Sequence, residues 1–222
     1  VILLVAFLTS CSASAQTRDP APAAGMFLVA SRDLQGPIFT RTVILLLQYD
    51  RSGAMGLIVN RPTEIALSDA IPGIEGEGAA DHHLYFGGPV SMETVLFITR
   101  NGDPQPSGGM VLEELQVSGD LSSLQARLAG PADPAGLKVF AGYSGWAPGQ
   151  LEAEIRRGGW HLVPARAEQV LQADGEALWR QLAPPPTPLK AGPTDKHEGS
   201  EFPAARLARA STTDHVLPHP SL

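Results

Sequence analysis

Residues 42–60 read TVILLLQYDRSGAMGLIVN, and the fold turns on how this stretch is read. Residues 42–49 are continuously apolar and rich in β-branched types. That pattern predicts a strand covered on both faces, because successive side chains of a strand point to opposite sides. Ser52-Gly53 sits between this run and residues 54–60, which predicts a hairpin. Gly56 inside the second arm predicts a bulge or a close backbone approach. Asn60-Arg61-Pro62 then ends the strand, since proline cannot donate to a ladder.

Working outward, shorter apolar runs predict strands over 26–30, 84–86, 95–99, 137–141 and 160–163. Helical spacing is seen over 120–128, with Ser118 or Asp120 as cap, and over 148–157, stopped by Gly158-Gly159. It recurs over 165–173 and 176–182, and residues 66–71 suit one or two helical turns. Residues 72–80 and 101–109 read as loops, and 110–117 fit either state. Strands and helices mix without a βαβ rhythm. The fold class expected is therefore α+β, a mixed sheet with helices on its faces.

The chain has 222 residues and a net charge of −7. Three segments follow from its composition. Residues 25–182 form the folded domain and hold the whole net charge, from 11 basic and 18 acidic side chains. Such an acidic body excludes nucleic acid as an expected partner. Residues 183–222 carry eight of the 20 prolines, with scattered apolar residues and cancelling charges, and read as a disordered tail. Residues 1–24 read as a leader and linker. The apolar run VILLVAFL would span roughly 12 Å as a helix, far less than the roughly 30 Å of a bilayer core. It suits the apolar region of an export signal instead. Leu8-Thr9-Ser10-Cys11 looks like the lipobox of bacterial lipoproteins, with Cys11 the lipidated residue; cleavage after Ala15 is the competing reading. The expected address is the cell envelope, with the membrane touched only through a lipid anchor. The alternative is a cytoplasmic protein whose apolar start has no targeting role.

Each candidate for chemistry has a structural reading beside it. Gly142-Tyr143-Ser144-Gly145-Trp146 invites comparison with a G-x-S-x-G nucleophile elbow, but Trp146 stands where the second glycine belongs. A strand-to-helix turn anchored by Trp146 is expected. Asp81-His82-His83 places two adjacent histidines, which point apart on a strand and rarely share a metal; a solvated loop is expected. Phe86-Gly87-Gly88-Pro89-Val90 lacks the spacing of a nucleotide loop, and reads as a glycine-permitted turn in preference to an anion nest. Glu152 and Glu154 face different ways on their helix, whereas Gln150 and Glu154 share a face. No catalytic residue, metal ligand or cofactor is assigned. The candidate binding surface, for an unidentified protein or small ligand, is Asn60, Gly87, Gly88, Pro89, Tyr143, Trp146, Gln150 and Glu154.

Taken in order, these segments resemble the YqgE/AlgH family of bacterial proteins. The resemblance is carried by Met26-Phe27-Leu28-Val29-Ala30, Gly36-Pro37-Ile38-Phe39 with Arg41-Thr42-Val43, and residues 53–62. Gly87-Gly88-Pro89-Val90, Gly142-Tyr143-Ser144-Gly145-Trp146 and Gly149-Gln150-Leu151-Glu152 with Glu154 continue it. The resemblance implies a mixed α/β arrangement, with a split sheet containing a small barrel and helices outside. It also implies no established enzymatic activity, so a non-enzymatic binding or accessory role is expected. One member carries a transcriptional-regulator label. That label is not carried over, since nothing in this acidic chain looks like a DNA-reading helix. A cytoplasmic regulator and an unrecognised hydrolase using Ser144 or His82 are the alternatives. The leader departs from the family, whose members begin near the first strand.

Overall fold

In the computed structural model, residues 20–100, 109–129, 135–172 and 175–185 are described. Cys11 with its leader, most of the 101–109 segment, and the tail from residue 186, with His197, His215 and His219, lie outside the described residues.

The 42–60 stretch folds as its pattern predicts. β1 (Met26–Ala30) lies antiparallel to β2 (Val43–Asp50), which turns through Arg51-Ser52 into β3 (Gly53–Ile58). Val43 to Leu46 are all fully buried, so both faces of that half of β2 are covered; the second half alternates. Gly56 marks the expected close approach. The register slips between Leu46 and Gln48 opposite it, and a Cβ there would lie 2.7 Å from the Leu45 carbonyl oxygen.

The chain continues as β4 (Pro62–Ala66), α1 (Leu67–Ala70), α2 (Glu77–Asp81), β5 (His83–Phe86), β6 (Val90–Arg100), β7 (Gly109–Leu112) and β8 (Leu115–Ser118). It ends with α3 (Leu121–Leu128), β9 (Leu137–Trp146), α4 (Gln150–Arg156), β10 (Trp160–Pro164), α5 (Ala167–Leu171) and α6 (Gly175–Leu182). Asp120 caps α3 by accepting from the Ser122 and Ser123 amides, as expected. The ambiguous 110–117 region resolves as the β7–β8 hairpin.

The main strand order is β10-β1-β2-β3-β9-β6-β8-β7, with β5 joining β4 to β9. Pairing is antiparallel except between β5 and β9. The sheet curls strongly into a half-barrel with helices around it, the α+β class expected. The curl brings β7 to the foot of β1, where a Cβ on Gly25 would stand 2.9 Å from the Val111 carbonyl oxygen. One apolar cluster joins β1–β3 to Leu151, Val170, Leu171, Leu178 and Trp179 of the helices. A second packs Leu67, Ile74, Ala79, Leu124 and Leu128 against Phe97 and Val139. No described helix is long and apolar enough to cross a membrane.

Three expectations need correction. Residues 142–146 are not a strand-to-helix turn: β9 runs on through them, because Ala54, Met55 and Gly56 pair with Trp146, Gly145 and Ser144. The 72–80 loop gives way to α2, which buries Ala79 against Leu128 and its neighbours. His82 is not solvated. It is only 7% exposed, at the end of that helix. The packed body also reaches slightly past residue 182, since Ala183 lies against the core and Arg32 donates to the Pro184 carbonyl at 3.0 Å.

The two glycine motifs meet. Val139 to Ala141 pair with β5 along one edge and with β6 along the other, so residues 87–89 must cross β9. Gly87 donates to the Ala141 carbonyl and accepts from the Ile58 amide, both at 2.9 Å. Gly88 (φ 152°) lies on the backbone of Tyr143 and Ser144, and Gly142 (φ 67°) lies under the Gly88 carbonyl. Only glycine permits this contact, since a Cβ on either would overlap main-chain atoms.

Candidate functional site

The residues singled out from the sequence do not form one surface. Gly87 and Gly88 are buried in the crossover against half-buried Tyr143, and Pro89 alone of that turn is exposed. The Gly87 amide is spent on Ala141, so the nest reading loses that donor. Asn60 is 3% exposed and works as a tie: its Oδ1 accepts from the Val43 amide at 2.8 Å, and its Nδ2 donates to the Arg41 and Gly175 carbonyls at 3.0 Å.

Trp146, Gln150 and Glu154 do come together, with Trp160 as a fourth member. Glu154 Oε2 accepts from the indole N–H of Trp146 at 3.0 Å and of Trp160 at 2.8 Å. Its Oε1 accepts from Gln150 Nε2 at 3.0 Å, and Gln150 Oε1 accepts from the Ala147 amide. The two indoles meet edge to face, centroids 6.2 Å apart. Burial pushes the Glu154 carboxyl up. The hydrogen bonds from Trp160, Gln150 and Trp146, with the Arg157 charge, outweigh it and hold the group below the ordinary carboxylate value. Glu152 faces elsewhere, as expected, and accepts from the Tyr49 hydroxyl at 2.7 Å. This cluster fastens α4 to β9 and β10, leaving little polarity for a ligand.

Two clefts flank Pro62. One, of about 430 Å³, is lined by Thr40, Arg41, Asn60, Arg61 and Glu176. Its charges serve one another: Glu176 pairs with Arg41 and with Arg180, each at 2.9 Å, which keeps its carboxyl below the ordinary range. Arg61 donates to the Thr40 carbonyl at 2.8 Å.

The other cleft, of about 290 Å³, has a different character. Thr63, Glu64, Asp81, His82, His83, Tyr85 and Lys138 supply its polar wall, and Pro62, Leu137 and Leu171 its apolar one. Lys138, at 4% exposure, donates to the Val59 carbonyl at 3.2 Å and lies 4.3 Å from the Tyr85 ring centroid. His82 Nδ1 lies 2.7 Å from the Gly78 carbonyl oxygen. That oxygen can only accept, so Nδ1 carries a proton and donates to it. Nε2 is buried without a hydrogen-bond partner. It is the only such side-chain nitrogen or oxygen among the described residues. Read as an adjacent pair in the sequence, His82 and His83 give no hint of this cleft. The lysine inside the apolar run LKVFA was the one sequence signal that pointed to it.

The chain's similarities to known proteins agree with this architecture. A family model described as "AlgH-like", DUF179, matches residues 27–184. A UPF0301 protein of Chlorobium luteolum is 35% identical over 158 residues, covering 71% of this chain and 82% of the relative. One of Rhodococcus opacus is 36% identical over 176 residues, covering 77% and 87%. The solution structure of the AlgH protein from Pseudomonas aeruginosa superposes with a TM-score of 0.60 at 29% identity, over 74% of this chain and 88% of that one. A crystal structure of a protein from Corynebacterium diphtheriae gives the same TM-score at 26% identity, over 74% and 87%.

Proposed function

The chain belongs to the AlgH-like DUF179 (UPF0301) family, and on that premise we propose that it acts as a non-enzymatic binding or accessory protein tethered at the cell envelope. The observation that carries the binding reading is the cleft of about 290 Å³ beside Pro62, whose lining gathers the buried polar residues His82 and Lys138 with Thr63, Glu64 and Asp81. A small recess with a few convergent polar groups over an apolar base has the make-up of a ligand site.

The groups of the rival hydrolase reading are spent otherwise. Ser144 is fully buried, and its hydroxyl is directed at the Gly87 carbonyl at 3.4 Å. His82 Nδ1 serves Gly78, and its Nε2 does not reach Ser144. A nucleophile must be reachable and bonded to its base. This favours binding over acyl transfer. Incubation with a serine-reactive fluorophosphonate is expected to leave the intact mass unchanged. An adduct mapped to Ser144 would reverse the reading.

The tether rests on the apolar leader ending at Cys11, where the side chain of a lipoprotein would be acylated. Acyl chains contribute about 0.8 kcal/mol per buried CH₂, so two or three hold a domain firmly at a membrane. Cells expressing the full chain are expected to incorporate radioactive palmitate into it, and Cys11→Ala to abolish the label. Absence of label in the unmodified chain overturns the tether and leaves export with cleavage after Ala15, or the cytoplasm, as the address.

A further inference from the structure

We infer that the cleft lined by Arg41 and Arg61 is a binding site for a small monocarboxylate. This site is separate from the cleft lined by His82, on which the binding reading above rests.

An excess of positive charge sets the recess apart. The chain carries a net charge of −7, so cations gathered in one cleft stand against the general sign of the molecule. Arg41 and Arg61 line the cleft of about 430 Å³, and Glu176 is the only acid among the described residues that line it. That carboxylate is shared, since it pairs with Arg180 as well as with Arg41, each at 2.9 Å. Arg61 has no acidic partner among the described residues. It is half-buried, and one of its five N–H groups goes to the Thr40 carbonyl at 2.8 Å. Among the described residues no other hydrogen bond holds it. A guanidinium taken partly out of water gains from a counter-ion brought to it.

The frame of the cleft is set before anything binds. Asn60 spends its amide protons on the Arg41 and Gly175 carbonyls and its oxygen on the Val43 amide, which ties the two sides together. Arg41 keeps a left-handed backbone (φ 57°), uncommon for a residue with a side chain, and the Asn60 tie holds it there. Its guanidinium lies 5.8 Å from the Trp179 ring centroid. Trp179 is itself anchored, its indole N–H donating to the Ala30 carbonyl at 2.7 Å. Binding groups on a fixed frame lose little freedom when a ligand arrives.

Shape and charge then select the ligand. A guanidinium offers a planar fork of N–H donors that matches the two oxygens of a carboxylate. A cation is repelled by both arginines. A doubly charged anion meets Glu176, which already stands in the cleft, so an anion of single charge fits best. Pro62 offers an apolar flank for a short hydrocarbon tail. The volume of about 430 Å³ lies within the roughly 300–1,000 Å³ of small-molecule sites.

The test follows the backbone amide signals of Arg41, Arg61 and Gly175 by ¹H–¹⁵N NMR in the full chain. Sodium butyrate, its neutral relative butyramide and inorganic phosphate are titrated separately, against sodium chloride at matched ionic strength. Butyrate is expected to shift the three signals saturably and to bind more tightly than the other two. Arg61→Gln should weaken butyrate binding at least about tenfold, the scale of a lost hydrogen bond to a charged group. Glu176→Gln removes the carboxylate that shares the cleft and should tighten butyrate binding severalfold. Glu176 is exposed, so its replacement leaves the fold in place and reads the site even where Arg61→Gln does not fold. The Trp179 indole signal, recorded before ligand is added, certifies the packing of α6 in each variant. Equal shifts from butyramide, or tighter binding of phosphate, overturn the monocarboxylate. Signals that drift without saturation, and do so equally with chloride, mark screening and overturn the site. Native affinity in a folded Arg61→Gln, or unchanged affinity in Glu176→Gln, overturns it too. None of these failures touches the His82-lined cleft, which shares only Pro62 with this one.

Discussion

Gly88→Ala is expected to leave no folded protein. At Gly88 (φ 152°) an added Cβ would fall on the carbonyl of Tyr143 and the amide of Ser144, closer than real Cβ atoms ever stand to such neighbours. These are backbone atoms of a central strand, so no rotamer change relieves the overlap; β9 or the crossover must move. β9 is held on both edges, by β6 along one and by β5 and β3 along the other. Moving it strains most of the sheet. A cost above about 4–5 kcal/mol is exceptional for one substitution, yet it is a large part of the about 5–15 kcal/mol that holds a domain together. Gly149→Ala is the companion measurement. Gly149 (φ 79°) also sits in the left-handed region, but an added Cβ there meets nothing within 4 Å. It should cost only the about 1–2 kcal/mol of backbone strain. Circular dichroism and urea unfolding should therefore show a folded Gly149→Ala protein and an unfolded or insoluble Gly88→Ala protein. Comparable stabilities would mean that the crossover is looser than described.

That crossover also shows how far the sequence could be read. The hairpin of β2 and β3 was legible because apolar runs and a Ser-Gly turn are local signals. The α3 cap was legible for the same reason. The glycines of 87–88 and 142 were each recognised as permitting something unusual, but their contact spans more than fifty residues and leaves no local trace. Read alone, Gly142 and Gly145 look like breakers and suggest a turn. In the fold Gly142 makes β9 thin enough to be crossed, and Gly145 is an ordinary rung paired with Met55 of β3. Tertiary pairing overrides propensity at that point. α2 was missed because Gly78 is a poor helix former, and its single turn is held by Ala79 packing into the second core cluster. The unpartnered nitrogen of His82 was invisible for a related reason. An orphaned nitrogen is defined by what fails to surround it, which the sequence does not encode locally.

Removing the Glu154 carboxylate is expected to be the second most damaging change. Glu154→Leu leaves the indole N–H groups of Trp146 and Trp160 without their acceptor, in side chains that are only 7% and 3% exposed. A buried donor left unpaired costs about 1–3 kcal/mol, so the pair amounts to about 2–6 kcal/mol. At about 2–4 °C per kcal/mol for a domain of this size, the melting temperature should fall by at least about 4 °C. Glu154→Gln keeps an acceptor and loses the charge, and should lie between the two. The pH dependence separates charge from shape. The folded carboxyl titrates below its ordinary value of 4.5, so the unfolded chain takes up the proton first as pH falls. The stabilisation is fully present above about pH 4.5 and is lost as pH drops through the depressed folded value. Asp50, Asp120, Glu152 and Glu176 are depressed as well, but they titrate alike in the native and variant proteins and cancel in the difference. Urea unfolding at pH 7 and again near pH 3 should therefore show the native protein losing its margin over Glu154→Gln on acidification. A margin that stays constant across that range would mean that the indoles need only an oxygen at this position, and that the negative charge on Glu154 adds nothing to the grip of α4 on the sheet.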